Sequence, residues 1–176
     1  MEAKNLAEAE GLPLIEWSRV DREIEERLDS WDPGAPDRPT CWLTTINADG
    51  SPHVTSVGAL WHVGSFWFQT GERTRKARNV ARNARCSMSV ATRGLDVVVE
   101  GEAHRVTDRR LVSEAASLWA KGGWPARVDE SGTAITADFN APSVGPPPWF
   151  VYQLEPRTAT AVGTAQESPG STRYRF

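Results

Sequence analysis

The sequence predicts an α+β fold that is mainly β, six antiparallel strands closing a small barrel with flanking helices. Two observations predict it. Strand-like runs follow one another across links of hairpin length, at Asp49-Gly50, Val63-Gly64 and Arg93-Gly94, and such links cannot join parallel neighbours. Helical periodicity is confined to three segments, which does not suit a doubly wound sheet with a helix after every strand.

From Glu16 to Trp31, the residues Trp17, Val20, Ile24 and Leu28 recur at helical spacing among acids and arginines. This predicts an amphipathic helix ended by the Asp32-Pro33-Gly34 breaker. Residues 1–35 are read as that helix and a linker, and 36–176 as the barrel domain. Three strands are predicted next as a meander, Thr40–Asn47, His53–Trp61 and Ser65–Thr70. In the short basic helix that follows, Ala77, Val80, Ala81 and Ala84 form a narrow apolar stripe suited to packing on a sheet. Arg75, Arg78, Arg82 and Arg85 gather on a largely opposite face.

Cys86–Thr92 and Leu95–Val106 read as a hairpin whose second strand bends at Gly101. Asp108 is a predicted N-cap for a helix carrying Leu111, Val112, Ala115, Leu118 and Trp119, which ends at Gly122-Gly123. Residues 124–148 lack a strong period and finish in Gly145-Pro146-Pro147-Pro148, so a long ordered loop is expected. A last strand pair, Trp149–Glu155 and Thr158–Gly163, is broken at Pro156 and leads into the tail Ser171–Phe176. The alternation of that tail suits an extended segment pinned against a surface.

The chain has 176 residues, 39% hydrophobic and 24% charged, enough for one globular domain with a core. It shows neither an apolar run of about 18 residues nor a basic-then-apolar leader, so a cytoplasmic protein without a membrane partner is expected. A formal charge of -3 is a poor footprint for nucleic acid. Cys41 and Cys86 sit in apolar runs without a CxxC partner, and His53, His62 and His104 match no metal-ligand spacing, so no metal site is expected. Among eight tryptophans, Trp61, Trp67, Trp119, Trp124 and Trp149 lie in or beside apolar segments. They read as core and oligomer-interface residues, or as walls for a flat aromatic cofactor.

The chemistry is concentrated between Phe66 and Val90. Arg73, Arg75 and Lys76 stand at a helix start, where peptide dipoles already leave partial positive charge. A bound phosphate or carboxylate held by backbone N–H groups, the Thr70 and Thr74 hydroxyls and these cations accounts for that placement. A solvated basic face and a nucleic-acid helix are the competing readings. Arg78 and Arg82 extend the positive field to the reach of a longer, multiply charged anion. No nucleophile–base pair is apparent, and no catalytic residue is assigned.

The order strand, Asp-Gly turn, strand, strand, then Thr70 to Asn83 with its T-R-K-A-R-N-V-A-R-N run, then a further hairpin, resembles the FMN-binding split β-barrel family typified by pyridoxamine 5'-phosphate oxidase. The resemblance covers roughly residues 36–176. Gly71–Asn83, Asp96–Asp108, Gly145–Trp149 and Thr172–Phe176 are similar to a branch, common in actinobacteria, whose members use the deazaflavin coenzyme F-420. By this resemblance the anion is the cofactor's phosphate, at Thr70, Arg73, Thr74 and Lys76 with Arg75 beside them, while Arg78 and Arg82 meet an oligoglutamate tail. The strand His53-Val54-Thr55-Ser56-Val57 lies along the ring, and Trp149 joins the site. The family's homodimers carry two cofactor sites at the interface, which makes Arg173 and Tyr174 of the tail candidates for the partner's cofactor.

The chain lacks the oxidase's R-x-V-L-L-K strand and its tail pattern for pyridoxal phosphate, so vitamin B6 oxidation is not implied. The expected activity is hydride transfer from reduced F-420 to a small conjugated organic acceptor. The alternatives are an FMN-dependent oxidase or reductase of the same fold, and a flavin-, haem- or tetrapyrrole-binding module without turnover.

Overall fold

The computed structural model describes residues 1–29, 39–141, 144–166 and 168–176. In chain order the elements are β1 (Glu2–Asn5), α1 (Trp17–Asp29), β2 (Cys41–Ile46), β3 (Pro52–Val57), β4 (Ala59–His62), β5 (Ser65–Gly71), α2 (Arg75–Arg82), β6 (Arg85–Ala91), β7 (Leu95–Val106), α3 (Arg109–Lys121), β8 (Arg127–Val128), β9 (Ile135–Thr136), β10 (Trp149–Gly163) and β11 (Ser171–Arg175). The strands pair antiparallel, in the order β1-β11-β10-β7-β6-β2-β3, with β5 and then β4 attached along the first half of β10. This is the mainly β architecture with flanking helices that the hairpin-length links require.

The run expected as one strand from His53 to Trp61 is two strands. β3 pairs with β2 and β4 with β5, so the chain crosses from one sheet edge to another at Gly58, and the barrel is split there. At the next turn Val63 (φ 49°) and Gly64 (φ 67°) both adopt the left-handed conformation that a tight hairpin needs.

The expected last strand pair is, conversely, the single strand β10. Pro156 falls where the register with β7 shifts, a bulge that tolerates its missing N–H, and the strand continues through it. Gly101 stands opposite Pro156, and a Cβ there would lie 2.0 Å from the Glu155 carbonyl oxygen, so the crossing admits only glycine. The 124–148 region contains the β8–β9 hairpin, whose two-residue strands are too short to leave a period.

Two clusters fill the molecule. Inside the barrel Leu43, Phe66, Phe68, Met88, Leu95 and Leu154 are fully buried, each such side chain contributing about 1.5–3 kcal/mol. Beneath α3 a second cluster gathers Trp67, Val112, Trp119, Ile135 and Trp149. Val20 and Ile24 of α1 enter the barrel cluster and β1 borders β11, so residues read as preceding the barrel contribute to its sheet and core. The expected helix end at Trp31 and the Asp32-Pro33-Gly34 breaker lie outside the described residues.

The basic helix packs less completely than its stripe predicts. Ala77 and Val80 are buried, but Ala81 is exposed, and Ala84 lies past the Asn83 cap, half-buried, with its carbonyl accepting from the Ala103 amide of β7 at 2.8 Å.

Candidate functional site

β5 delivers Thr70 to the start of α2, and Thr74 caps that helix by accepting from the Ala77 amide at 3.2 Å. The Thr70 and Thr74 hydroxyls are 2.8 Å apart. One turn on, Asn79 is buried and donates to Thr45 Oγ1 at 3.0 Å and to Asn47 Oδ1 at 3.1 Å, which locks α2 against β2 and its turn.

Lys76 is 96% buried by area, its side chain 4% exposed, and burial pulls its pKa below the ordinary lysine range. Thr45 faces Asn79, and His53 stands directly opposite Thr45 across the β2–β3 ladder, which puts both side chains on the same face, toward α2. Burial lowers the His53 pKa first, and the charges of Arg75 and Lys76 lower it further. The corner thus joins two hydroxyls, a buried ammonium, a guanidinium and an imidazole. Arg73 and Arg75 are solvent-exposed at its rim.

At the split a cavity of about 430 Å³ opens, within the size range of ligand pockets. Ser56, Val57, Gly58 and Leu60 line it together with Cys41 and Leu28, and so do Trp119 and Trp124, whose rings meet edge to face at 5.9 Å. Gln69 also lines it, 8% exposed, and its Oε1 has no hydrogen-bond partner. A buried acceptor left without a donor costs about 1–3 kcal/mol. Sequence reasoning missed Gln69; the available signal was a carboxamide directly after the aromatic run Phe66-Trp67-Phe68 in the fully buried strand Ser65–Gly71.

The remaining candidates separate. Val54 points outward, 55% exposed, and Thr55 and Ser56 are half-buried. Arg78 and Arg82 line a second groove with Glu72, Arg105 and Tyr152. Arg82 is also tied down, donating to the Ile46 carbonyl and, at 3.2 Å, to Asn79 Oδ1. Trp149 is fully buried, bonded through Nε1 to the Gly145 carbonyl at 3.0 Å, and its ring backs Trp124 at 5.2 Å instead of lining the cavity.

Tyr174 is fully buried within the chain, its hydroxyl donating to the Ile15 carbonyl at 2.5 Å and its ring 4.9 Å from Trp17. Its side chain is therefore committed to core packing and cannot reach a partner's cofactor while the tail keeps this register. Arg173, on the opposite face of β11, is exposed with Glu100 at 3.7 Å. Among the described residues no group of three or more His, Cys, Asp or Glu is placed to hold a metal, and no helix is long and apolar enough to cross a membrane.

Residues 28–162 match the family model described as pyridoxamine 5'-phosphate oxidase. Curated proteins yield no match. Among solved structures, the chain is similar to a NimC/NimA family protein from Clostridium acetobutylicum (14% identity, 94% of this chain and 99% of that one, TM-score 0.57). It is also similar to a pyridoxamine 5'-phosphate oxidase-related, FMN-binding protein from Nostoc punctiforme (16% identity, 94% and 99%, TM-score 0.55). A third similar structure is PhzG from Burkholderia lata in complex with tetrahydrophenazine-1-carboxylic acid (16% identity, 78% and 76%, TM-score 0.51). At such identities the similarity is one of fold.

Proposed function

The chain belongs to the pyridoxamine 5'-phosphate oxidase family, and from that membership we propose that it is an oxidoreductase that binds reduced coenzyme F-420 and passes a hydride to a small conjugated organic acceptor. The observation that carries this reading is the corner formed by Thr70, Thr74, Arg75, Lys76 and His53 at one end of β3, with the cavity at the other end. His53 and Val57 are four residues apart, about 13 Å along a strand, a span suited to a cofactor whose anion and ring are separated by a flexible linker.

The residues present fit such a group. Buried Lys76 and the hydroxyl pair supply an anion with charge-assisted and neutral donors, and the aromatic surface of Trp119 and Trp124 with the unpartnered Gln69 suits an aromatic ring with polar edges. When bound, the deazaflavin supplies the hydride. The chain's own work is positioning. Lys76 and the α2 N-terminus hold the anion, Val57 and Leu60 exclude water from one side, and Trp119 and Trp124 restrict how an acceptor lies. Hydride transfer needs no nucleophile–base pair, and none is assigned.

Arg78, exposed on α2 beyond the phosphate corner, favours F-420 over FMN, because the family resemblance implies an anionic oligoglutamate tail. The FMN-dependent alternative draws on the fold shared with the Nostoc punctiforme FMN-binding protein. A second copy of the chain completes the site in this proposal. The outer sheet face carries Trp42 and Val54, 49% and 55% exposed, and Trp42 lies opposite Ser56, which lines the cavity. Exposed Val98 and Val162 extend that apolar face, and a dimer would cover it.

Fluorescence titration with F-420 and FMN side by side tests the cofactor, and steady-state reduction of a test enone with reduced F-420 tests turnover. Tight binding without reduction of any acceptor would favour a storage or binding module.

A further inference from the structure

Gln69 is the residue whose polar end has no explanation in the protein's own hydrogen bonding. Strand alternation turns Phe68 and Thr70 toward the barrel and the α2 corner, and turns Trp67 and Gln69 toward the second cluster and the cavity. The β4–β5 ladder ends at the pair Ala59–Phe68, so Gln69 lies just past the point where the barrel splits. It is 92% buried by area, 8% exposed, and Oε1 is the one buried side-chain oxygen or nitrogen without a partner among the described residues.

A carboxamide offers an acceptor and a donor side by side in one plane. Its complement is a ring edge on which an N–H and a carbonyl are neighbours, the same two-point logic by which glutamine reads a base edge. The cavity around it is lined by the edge-to-face pair Trp119 and Trp124, by Val57 and Leu60, and by the polar groups of Thr40 and Ser56, a mix of aromatic, aliphatic and hydrogen-bonding surface that suits a heterocycle with polar edges. Flavins and deazaflavins both carry a pyrimidinedione with this edge.

We propose that Gln69 grips the N–H/carbonyl edge of a planar heterocycle in the split cavity by a two-point carboxamide pairing, and so fixes the orientation of the ring. The inference rests on the cofactor reading above and deepens it. Because FMN and F-420 share the edge, Gln69 positions either ring without choosing between them; the choice is left to the anionic end. A swing of the flexible glutamine side chain brings Oε1 to the ligand.

The test uses whichever of FMN and F-420 binds, together with its N3-methyl derivative, which keeps the ring and the anion but loses the N–H. Wild-type protein should prefer the unmethylated form at least tenfold by fluorescence titration. Gln69→Leu should weaken the natural form about tenfold and bind both forms within twofold of each other. Gln69→Glu keeps the shape, and only its protonated carboxyl can reproduce the pairing, so its affinity relative to wild type should recover as pH falls. Methylation without effect on the wild type, or discrimination that survives in Gln69→Leu, would overturn the role of Gln69 and leave the cofactor reading standing. A wild-type protein that binds neither cofactor would overturn both. A Gln69→Glu ratio that is flat with pH would reduce Gln69 to a space-filling residue.

Discussion

His53 stands directly across the β2–β3 ladder from Thr45, the residue that Asn79 of the basic helix holds at 3.0 Å, so the imidazole shares a face with the start of α2. Its pKa lies below the ordinary 6.5, first through burial and then through Arg75 and Lys76. The free protein therefore folds with fewer protons on this group than the unfolded chain, and stability from this source is lost as pH falls below about 6.5. A phosphate in the corner opposes that effect by favouring imidazolium. Cofactor affinity should rise several-fold as pH falls from about 8 to about 6.5, and His53→Gln should flatten the profile. Titrations at the two pH values in both proteins measure it, and identical slopes would remove His53 from the anion site.

Lys76→Ala should weaken cofactor binding by about 1.5–3 kcal/mol, the range for a charge-assisted hydrogen bond. Circular dichroism should hardly change. An unaltered dissociation constant for both cofactors would exclude Lys76 from the site.

Arg78 and Arg82 separate in their expected effects. Arg78→Ala should weaken F-420 more than FMN, and should make F-420 affinity less steeply dependent on salt. Arg82 braces the Ile46 carbonyl and Asn79, so Arg82→Ala should loosen the β2–β3 turn and weaken both cofactors alike. Equal losses for both cofactors in Arg78→Ala would count against a tail contact.

Loss of the Tyr174 hydroxyl strips the Ile15 carbonyl of a buried donor. Tyr174→Phe should cost about 1–3 kcal/mol in urea unfolding with little change in cofactor affinity per folded molecule. Deleting residues 172–176 also removes buried Thr172 and the strand between β1 and β10, so it should compromise folding before it affects binding. A deletion that folds normally and loses only affinity would return the tail to the site.

The parts of the fold that are legible in the sequence are those with a local signal. Asp49-Gly50, Val63-Gly64, the Asp108 cap and the helical spacing of α1 and α3 each write their geometry in a few residues. The corner at α2 is legible for the same reason, since Thr70 to Lys76 form one contiguous run. What the sequence hides depends on distant pairing. β1 is defined only by β11, Tyr174 is buried by Trp17 and Ile15 from the other end of the chain, and Pro156 reads as a breaker until Gly101 is placed opposite it. Gln69 looks like any strand residue until the split at Gly58 leaves it beside a cavity.

The exposed face around Trp42 and Val54 predicts self-association. Sedimentation should show a single species near twice 19.4 kDa, and Trp42→Glu should shift it toward the monomer while weakening cofactor binding. A monomer with tight binding would contradict a site shared between copies.

The central claim is that the α2 corner and the split cavity together bind a phosphorylated deazaflavin or flavin. Fluorescence titration of the wild-type protein with F-420 and FMN, repeated with Lys76→Ala and Gln69→Leu, tests it most directly. The account predicts saturable binding with F-420 the tighter ligand, and weakening of about tenfold or more by each substitution. Absence of saturable binding by either cofactor, or binding that neither substitution disturbs, would contradict it.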